Sequence, residues 1–241
     1  DEGNNDNTVT GTFSTGPGTN GTVTATERVV VDCHVVTVQK DAATRFNRDG
    51  FPVVDHLTWT FVGDGCLMEG ISHEVCSLAG TLRLSRLVVL YDDNGISIDG
   101  DVRNWFTDDT VARFAAYGWN VIADIDGHDV WALDRAIATA KDWALNGRDG
   151  RFAPTLIQCR TVIGKGSPNR AGSAKAHGEP LGPEEIRLTR EAMAGSGGAF
   201  EPWQIPDDVR AAWDARERGA RAQEQWSTMF ERYRKAHPDE A

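Results

Sequence analysis

The chain has 241 residues, enough for one large α/β domain or two smaller ones around a substantial core. Its 25 lysine and arginine residues against 36 acidic residues give a formal charge of −11, which disfavours binding to nucleic acids or to anionic membrane surfaces. Hydrophobic residues make up 40% of the chain, and no apolar run approaches the roughly 18 residues that a membrane span needs, so we expect no membrane association.

The first residues lack the basic start and apolar centre of a secretory signal. The cysteines show neither the paired spacing of a zinc site nor the density of a disulfide scaffold. They are Cys33, Cys66, Cys76 and Cys159. We therefore expect reduced thiols, assigned to packing where they fall in the patterned region, and a cytoplasmic protein.

Composition changes along the chain. Residues 1–44 are rich in Thr, Gly, Asn and Val, and we expect an irregular segment there, with loop or disorder over Asp1–Gly21. The β-branched run Val29–Val38 indicates at most an isolated strand. Residues 45–195 are expected to form an α/β domain, and residues 196–241 a linker and an amphipathic tail helix.

From residue 57 onward, apolar runs alternate with helical patterns. Strands are predicted at Leu57–Val62, Leu87–Tyr91, Asn120–Ile125 and Pro154–Cys159, and helices at Glu69–Leu82, Asp108–Tyr117, Val130–Leu145 and Glu184–Met193. The buried face of the first helix is expected to carry Ile71, Val75, Leu78 and Leu82. This alternation predicts an α/β fold, a doubly wound parallel sheet with helices on both faces.

Two further segments follow the last predicted strand. Thr161–Pro183 is a long loop with several glycines, and loops of this length are more often functional than not. The tail carries large apolar residues at roughly helical spacing on a charged background: Trp213, Trp226, Met229, Phe230 and Tyr233. This pattern indicates an amphipathic helix that packs on its own domain or on a neighbour.

A polar motif spans the ends of the first two strands. Gly63-Asp64-Gly65 ends one strand and Asn94 ends the next, and positions 66 to 93 between them suffice for one crossover helix. Asp64 and Asn94 should therefore lie side by side at the carboxyl edge of the sheet, where a carboxylate and an amide oxygen suit Mg²⁺. The glycines would let a diphosphate approach the backbone. Gly-Asp-Gly alone is also a common turn, and the matched Asn94 makes the signal more specific.

The residues around this motif extend the pattern. They read GDGCLMEGISHE at 63–74, YDDNGISIDG at 91–100, AYGW at 116–119, DGHD at 126–129, IGKGSPN at 163–169 and HGEPLG at 177–182. The motif resembles that of thiamine diphosphate enzymes. The surrounding segments resemble the corresponding segments of the transketolase family, and this resemblance extends from about Arg45 to the tail. The resemblance implies the thiamine-diphosphate-binding fold with a helical tail at its carboxyl end.

The resemblance also implies a set of site residues. Asp64, Asn94 and the main-chain carbonyl of Ile96 would bind Mg²⁺ or Ca²⁺, and Gly63 and Gly65 would join them in binding thiamine diphosphate. Asp92 and Asp93, which precede Asn94, are expected to form the turn and to support the site residues.

The resemblance to the family's sequence segments also assigns roles to three other residues. His177 would be a catalytic residue near the diphosphate and the hydroxyls of the donor sugar, although on its residue type alone it would be a surface histidine. Glu69 and Glu74 resemble the interface carboxylates that link the two cofactor sites of a dimer. Taken alone, they are acidic residues in the first turns of a helix, which the helix dipole favours.

The amino-terminal region departs from the family pattern. Thr15-Gly16-Pro17-Gly18 resembles the cofactor loop TGPLGQG, which assigns Gly16 and Pro17 to the cofactor. Gly18 stands where leucine is expected, and the similarity then stops until about Thr44, where a helix is expected in the family. Our hypothesis is that this stretch is either strongly diverged or translated from a shifted reading frame.

The implied activity is transfer of a two-carbon ketol unit from a ketose phosphate to an aldose phosphate. A glutamate that contacts the pyrimidine ring of the cofactor belongs, in the family, to a second domain on the partner subunit. Two hypotheses follow. In the first, the chain supplies the diphosphate- and metal-binding half of a homo- or hetero-oligomer with a pyrimidine-binding companion chain. In the second, it is a catalytically inactive transketolase fragment, or a binding or interaction module, that lacks the pyrimidine-binding domain.

Overall fold

The computed structural model describes residues 9–14, 20–25, 46–97, 100–194 and 203–241. The strands are β1 (Val9–Ser14), β2 (Asn20–Ala25), β3 (Thr58–Gly63), β4 (Leu87–Asp93), β5 (Ile96–Ser97), β6 (Gly100–Asp101), β7 (Asn120–Asp126) and β8 (Thr155–Arg160). The α-helices are α1 (Asp64–Met68), α2 (Gly70–Thr81), α3 (Thr110–Ala116), α4 (Val130–Asn146), α5 (Lys175–Gly178), α6 (Pro183–Ala194), α7 (Asp207–Trp213) and α8 (Arg216–Ala236).

Four strands form the central sheet, in the order β3-β4-β8-β7, and every neighbouring pair is parallel. The predicted strands and their parallel pairing are confirmed. The chain runs from β4 to β7 at the far edge and then returns to β8 between them. All four carboxyl ends therefore lie along one edge of the sheet, which is where open parallel sheets bind ligands.

Both faces of the sheet are covered, as predicted. In β4, Val89 and Tyr91 pack in a cluster that includes Ala79 of α2 and Phe114 of α3. Val88 and its neighbours on the other face pack against the alanines of α4. Alternate residues of one strand thus enter two separate cores, which explains why Leu87–Tyr91 is apolar without interruption.

One helix–helix contact depends on a glycine. A Cβ added to Gly80 of α2 would lie 1.9 Å from the carbonyl oxygen of Tyr117, at the end of α3. The indole nitrogen of Trp119 donates a 2.8 Å hydrogen bond to the carbonyl of Cys76 in the same region. Helix α2 is therefore held close to α3, on the face of the sheet that carries Val89 and Tyr91.

The amino-terminal prediction is partly wrong. β1 and β2 form an antiparallel pair, where loop or disorder was expected over Asp1–Gly21. The reason is that Thr and Val favour extended backbone even without a clear apolar alternation. β2 also shows extended backbone at the start of the stretch where the family pattern has a helix. The expected strand Val29–Val38 lies outside the described residues, as do Gly16, Pro17 and Cys33.

The first predicted helix also needs correction. The helical backbone begins at Asp64, inside the expected loop, and is interrupted at Glu69, whose ψ of 135° is extended. Ile71 was expected on the buried face but is 38% exposed, and Ala79 and Gly80 are the buried residues of α2. Small residues are buried there because the helix approaches its neighbours closely.

The tail forms two helices rather than one. In α8, Trp226, Phe230 and Tyr233 stack on one another, and Tyr233 also contacts the ring of Phe51 edge-on. The indole nitrogen of Trp226 donates a 3.0 Å hydrogen bond to the carbonyl of Val53. The tail thus packs on its own domain. Trp213 of α7 is 84% exposed and takes no part in this packing.

Two further observations concern the described residues alone. None of their helices is both long enough and apolar enough to cross a membrane. Cys66, Cys76 and Cys159 form no disulfide among these residues, and of the three only Cys159 is fully buried.

Candidate functional site

Asp64 is the centre of the candidate site. It follows the last residue of β3, begins α1 and is 3% exposed. The hydroxyl of Tyr91 donates a 2.6 Å hydrogen bond to Oδ1 of Asp64, while the amides of Gly95 and Asn94 donate to Oδ2 at 2.9 and 3.3 Å. A buried carboxylate is therefore wrapped by the loop that leaves the neighbouring strand.

The charge of Asp64 is costly in this position. Burial raises the pKa of Asp64, and the charge of Asp93 raises it further, against the hydrogen bonds from Tyr91 and Gly95 that lower it. Burial likewise raises the pKa of Tyr91, and the hydrogen bond to Asp64 adds to this effect, so Tyr91 remains a donor. A cation beside Asp64 would offset the cost of burying its charge.

Asn94 lies directly beside Asp64, as the spacing predicts. Its Oδ1 accepts a 2.9 Å hydrogen bond from the amide of Ile96, and its Nδ2 donates to Asp92 at 3.2 Å. The side chain is thereby fixed at the end of β4. Ile96, expected to offer its carbonyl to a metal, is the first residue of β5 and is half-buried.

The available oxygens fit a hard cation. Asp64 uses three of its roughly four lone-pair positions and Asn94 Oδ1 uses one of two, so each side chain retains a free acceptor position. Among the described residues, no three His, Cys, Asp or Glu side chains converge as metal ligands. A metal here would need the amide and main-chain oxygens as well as phosphate oxygens of a ligand. Mg²⁺ is typically bound in this way, by few protein side chains together with ligand phosphates.

The two motif glycines leave open space. An added Cβ at Gly63 or Gly65 would meet no atom of the described residues within 4 Å, and neither residue has a positive φ. Among the described residues, neither backbone conformation nor packing explains why glycine stands at these positions. Close approach of a ligand to the backbone would explain it.

A cleft of about 810 Å³ opens beside Asp64, along the carboxyl ends of β4, β7 and β8. Its wall holds a polar network: Asp93 accepts a 2.6 Å hydrogen bond from Gln158 and forms an ion pair with Arg160 at 3.2 Å. Arg160 also pairs with Asp124, which adopts a φ of 55° at the irregularity in β7. The cleft thus has both acidic and basic groups.

The remaining predicted residues lie elsewhere. His177 is exposed, belongs to the short helix α5 and is not part of the wall of the cleft. Within the described part of the chain, no hydrogen bond joins its side chain to Asp64 or Asn94. Glu69 and Glu74 are exposed, Glu69 at the break between α1 and α2 and Glu74 within α2.

Sequence reasoning missed Tyr91, Gln158 and Arg160. A tyrosine at the end of an otherwise apolar strand was the available signal for Tyr91, because a buried hydroxyl needs a partner. Gln158 and Arg160 stand at the end of the last predicted strand and gave no comparable signal. Only the strand order, which places β8 beside β4, brings them to Asp93.

A family model described as "Transketolase, thiamine diphosphate binding domain" matches residues 4–241. The chromosomal transketolase of Cupriavidus necator is 57% identical over 201 residues, which are 83% of this chain and 28% of that protein. Transketolase 1 of Escherichia coli is 53% identical over 203 residues, 84% of this chain and 29% of that protein. The chain therefore spans less than a third of the length of these curated relatives.

Solved structures agree with this relationship. Transketolase from Leishmania mexicana superposes with a TM-score of 0.73 at 37% identity, over 84% of this chain and 29% of that chain. A transketolase from Pichia stipitis in complex with sedoheptulose 7-phosphate gives 0.73 at 36% identity, over 83% of this chain and 29% of that chain. On these matches, and with the fold and the Asp64–Asn94 edge in agreement, the chain belongs to the transketolase family.

Proposed function

We propose that this chain binds thiamine diphosphate with a divalent cation at the Asp64–Asn94 edge, and contributes this site to ketol transfer between sugar phosphates. The observation that carries the proposal is the open backbone at Gly63 and Gly65 beside a buried carboxylate. An unfilled glycine pair next to an anion with free acceptor positions suits a metal-bound diphosphate better than it suits a turn.

The cation would be held by Asp64, Asn94 and the main-chain carbonyl of Ile96, with Mg²⁺ or Ca²⁺ as the candidates. Tyr91 and the amides of Gly95 and Asn94 keep the Asp64 carboxylate in place. The diphosphate would complete the ligand set from the side of Gly63 and Gly65, where the chain leaves room.

When bound, thiamine diphosphate supplies the electron sink for cleaving a bond next to a carbonyl. The residues of this chain bind the diphosphate, fix its orientation through the metal and present a polar wall at Asp93, Gln158 and Arg160. His177 would contact the diphosphate and the hydroxyls of the donor sugar, its imidazole holding or passing a proton there.

The proposal extends to partners of the chain. The substrates are sugar phosphates, and a pyrimidine-binding domain on a companion chain completes the cofactor site in a homo- or hetero-oligomer. Glu69 and Glu74 would lie in that interface, in agreement with their exposure. The described cysteines form no disulfide, which suits a cytoplasmic location. Alone, the chain is expected to show no ketol transfer between xylulose 5-phosphate and ribose 5-phosphate.

Gly65→Ala tests this function. The added Cβ meets no atom of the described residues within 4 Å, so the melting temperature should stay at the wild-type value while binding of thiamine diphosphate with Mg²⁺ is lost. Gly70→Ala, which also has nothing within 4 Å and stands outside the motif, is the matched control and should bind as wild type. Unchanged binding by Gly65→Ala would contradict the proposal.

A further inference from the structure

The loop between β8 and α6 is fixed at its middle by a buried carboxylate. Glu185 of α6 is 8% exposed. Its Oε1 accepts hydrogen bonds from the hydroxyl of Ser167 and, at 2.8 Å, from the amide of Asn169; its Oε2 accepts from Asn169 Nδ2 at 2.9 Å. Three donors from two loop residues thus converge on one side chain.

Contacts within the loop connect the part that Glu185 holds to helix α5. A Cβ added to Gly164 would lie 2.9 Å from the Cβ of Ala176, which immediately precedes His177. The amide of Gly172 donates a 2.8 Å hydrogen bond to the carbonyl of Ile163, so the segments before and after the anchor lie against each other. The position of α5 therefore depends on the folded form of residues 163–172.

An ion pair fixes the other side of α5. Arg170, next to Asn169, contacts Glu179 at 2.8 Å, two residues beyond His177. His177 thus lies in sequence between Ala176 and Glu179, and both of these residues contact the part of the loop that Glu185 holds. The side chain of His177 is exposed, and no residue that the structure describes forms a hydrogen bond or an ion pair with it.

The loop also begins at the candidate site. The amide of Thr161 donates a 3.2 Å hydrogen bond to the carbonyl of Asp93, which precedes Asn94, and the amide of Val162 donates to Nε2 of His128 at 2.8 Å. One end of the loop is therefore attached beside the metal-binding edge, and its middle is attached to Glu185.

The charge state of Glu185 agrees with an anchor. Hydrogen bonds from Ser167 and Asn169 lower the pKa of Glu185, so the carboxylate is the form that the loop binds. Charge-assisted hydrogen bonds of this kind are stronger than neutral ones. An ordinary surface helix such as α6 has no need of them for its own stability.

We propose that Glu185 is a positioning residue that holds the loop in the form that presents His177 to the diphosphate of bound thiamine diphosphate. This inference rests on the proposed function. Glu185 lies outside the sequence segments that resemble the family. It acts through Ser167 and Asn169 and touches neither cofactor nor substrate.

The first test measures the loop without ligand. Trypsin can cut it after Lys165, Arg170 and Lys175. In Glu185→Ala we expect cleavage at these sites about tenfold faster than in wild type. In Glu185→Gln the amide oxygen can still accept from Ser167 and from the backbone amide of Asn169, and the new NH₂ group can donate to Oδ1 of Asn169 once that side-chain amide flips, so this variant should restore most of the protection. Glu184→Ala removes the same charge from the exposed neighbour and is the matched control, with cleavage as in wild type.

The second test measures coupling to His177 by titration calorimetry with thiamine diphosphate and Mg²⁺. Glu185→Ala should weaken binding about tenfold, and Glu185→Gln should stay within about threefold of wild type. In a His177→Ala background, Glu185→Ala should cause no further loss, because its effect passes through His177. A merely structural role would instead lower affinity equally in both backgrounds.

The outcomes separate the two proposals. If wild type binds and Glu185→Ala binds equally well, or if its loss adds fully to that of His177→Ala, the inference is overturned and the proposed function stands. If wild type binds no thiamine diphosphate, the proposed function falls and the inference with it. Should Glu185→Ala fail to fold, Ser167→Ala removes a single donor and must shift cleavage and affinity in the same direction by a smaller factor.

Discussion

The hydroxyl of Tyr91 donates a 2.6 Å hydrogen bond to the carboxylate of Asp64, and both side chains are buried. This contact joins the ends of β3 and β4 at the point where the metal-bound diphosphate is proposed to lie. Together with the amides of Asn94 and Gly95, it fixes the orientation of the Asp64 carboxylate. The candidate site is therefore shaped before any ligand binds.

Tyr91→Phe tests this contact. Removing the hydroxyl leaves Oδ1 of Asp64 buried without its donor, and we expect a loss of about 1–3 kcal/mol in the free energy of unfolding, measured with urea. Tyr117→Phe removes a hydroxyl that contacts His73 at an exposed position, and serves as the control with a loss below about 1 kcal/mol. Equal losses in the two variants would show that the Tyr91–Asp64 hydrogen bond has no special weight.

Gly80→Ala tests the close approach of α2 to α3. The new Cβ would lie 1.9 Å from a backbone oxygen, so the helices must separate, at an expected cost of about 1–3 kcal/mol. Gly70→Ala in the same helix has open space and a better helix former, so it should be neutral or stabilising by up to about 1 kcal/mol. Matching melting temperatures for the two variants would refute the predicted clash.

Glu185 predicts a pH dependence of stability. Because the fold lowers its pKa, the folded state favours the carboxylate, and its contribution is complete above the ordinary glutamate pKa of about 4.3. That contribution is lost as the pH falls through the lowered value. The difference in unfolding free energy between wild type and Glu185→Gln should therefore be constant from neutral pH to about pH 5 and shrink below about pH 4.

Denaturant unfolding of both proteins at each pH measures this difference. Other titrating groups are common to wild type and variant, so their contributions cancel. A difference that stays constant down to the acid limit, or that grows as the pH falls, would rule out the ionised anchor.

Much of the fold could be predicted from local pattern. Leu87–Tyr91 is apolar without interruption because it is buried on both faces, and that signal fixes a central strand. The adjacency of Asp64 and Asn94 followed from the same reasoning, since parallel strands end at one edge. The burial of Ala79 and Gly80 in place of Ile71 could not be predicted, because it depends on how closely α2 approaches a helix remote in sequence.

The same limit applies to the site. Arg160 reaches Asp93 only because β8 inserts between β4 and β7. The local hydrophobic pattern of a sequence does not determine the order of the strands in the sheet. Glu185 gave no signal within its own helix, where an acidic residue in the first turn is ordinary. Its partners Ser167 and Asn169 lie in a loop whose path no periodic pattern describes.

The central claim is that Asp64 holds a cation that binds thiamine diphosphate. Titration calorimetry with thiamine diphosphate in the presence of Mg²⁺, on wild type and on Asp64→Asn, tests it most directly. Asparagine keeps the shape and removes a charge that burial makes costly, so the variant should fold at least as stably as wild type.

We predict Mg²⁺-dependent binding by wild type, and a loss in Asp64→Asn greater than the roughly 10–100-fold typical of removing a partner outside the ligand set. Equal affinity in the two proteins, or binding by wild type that does not depend on Mg²⁺, would contradict the account.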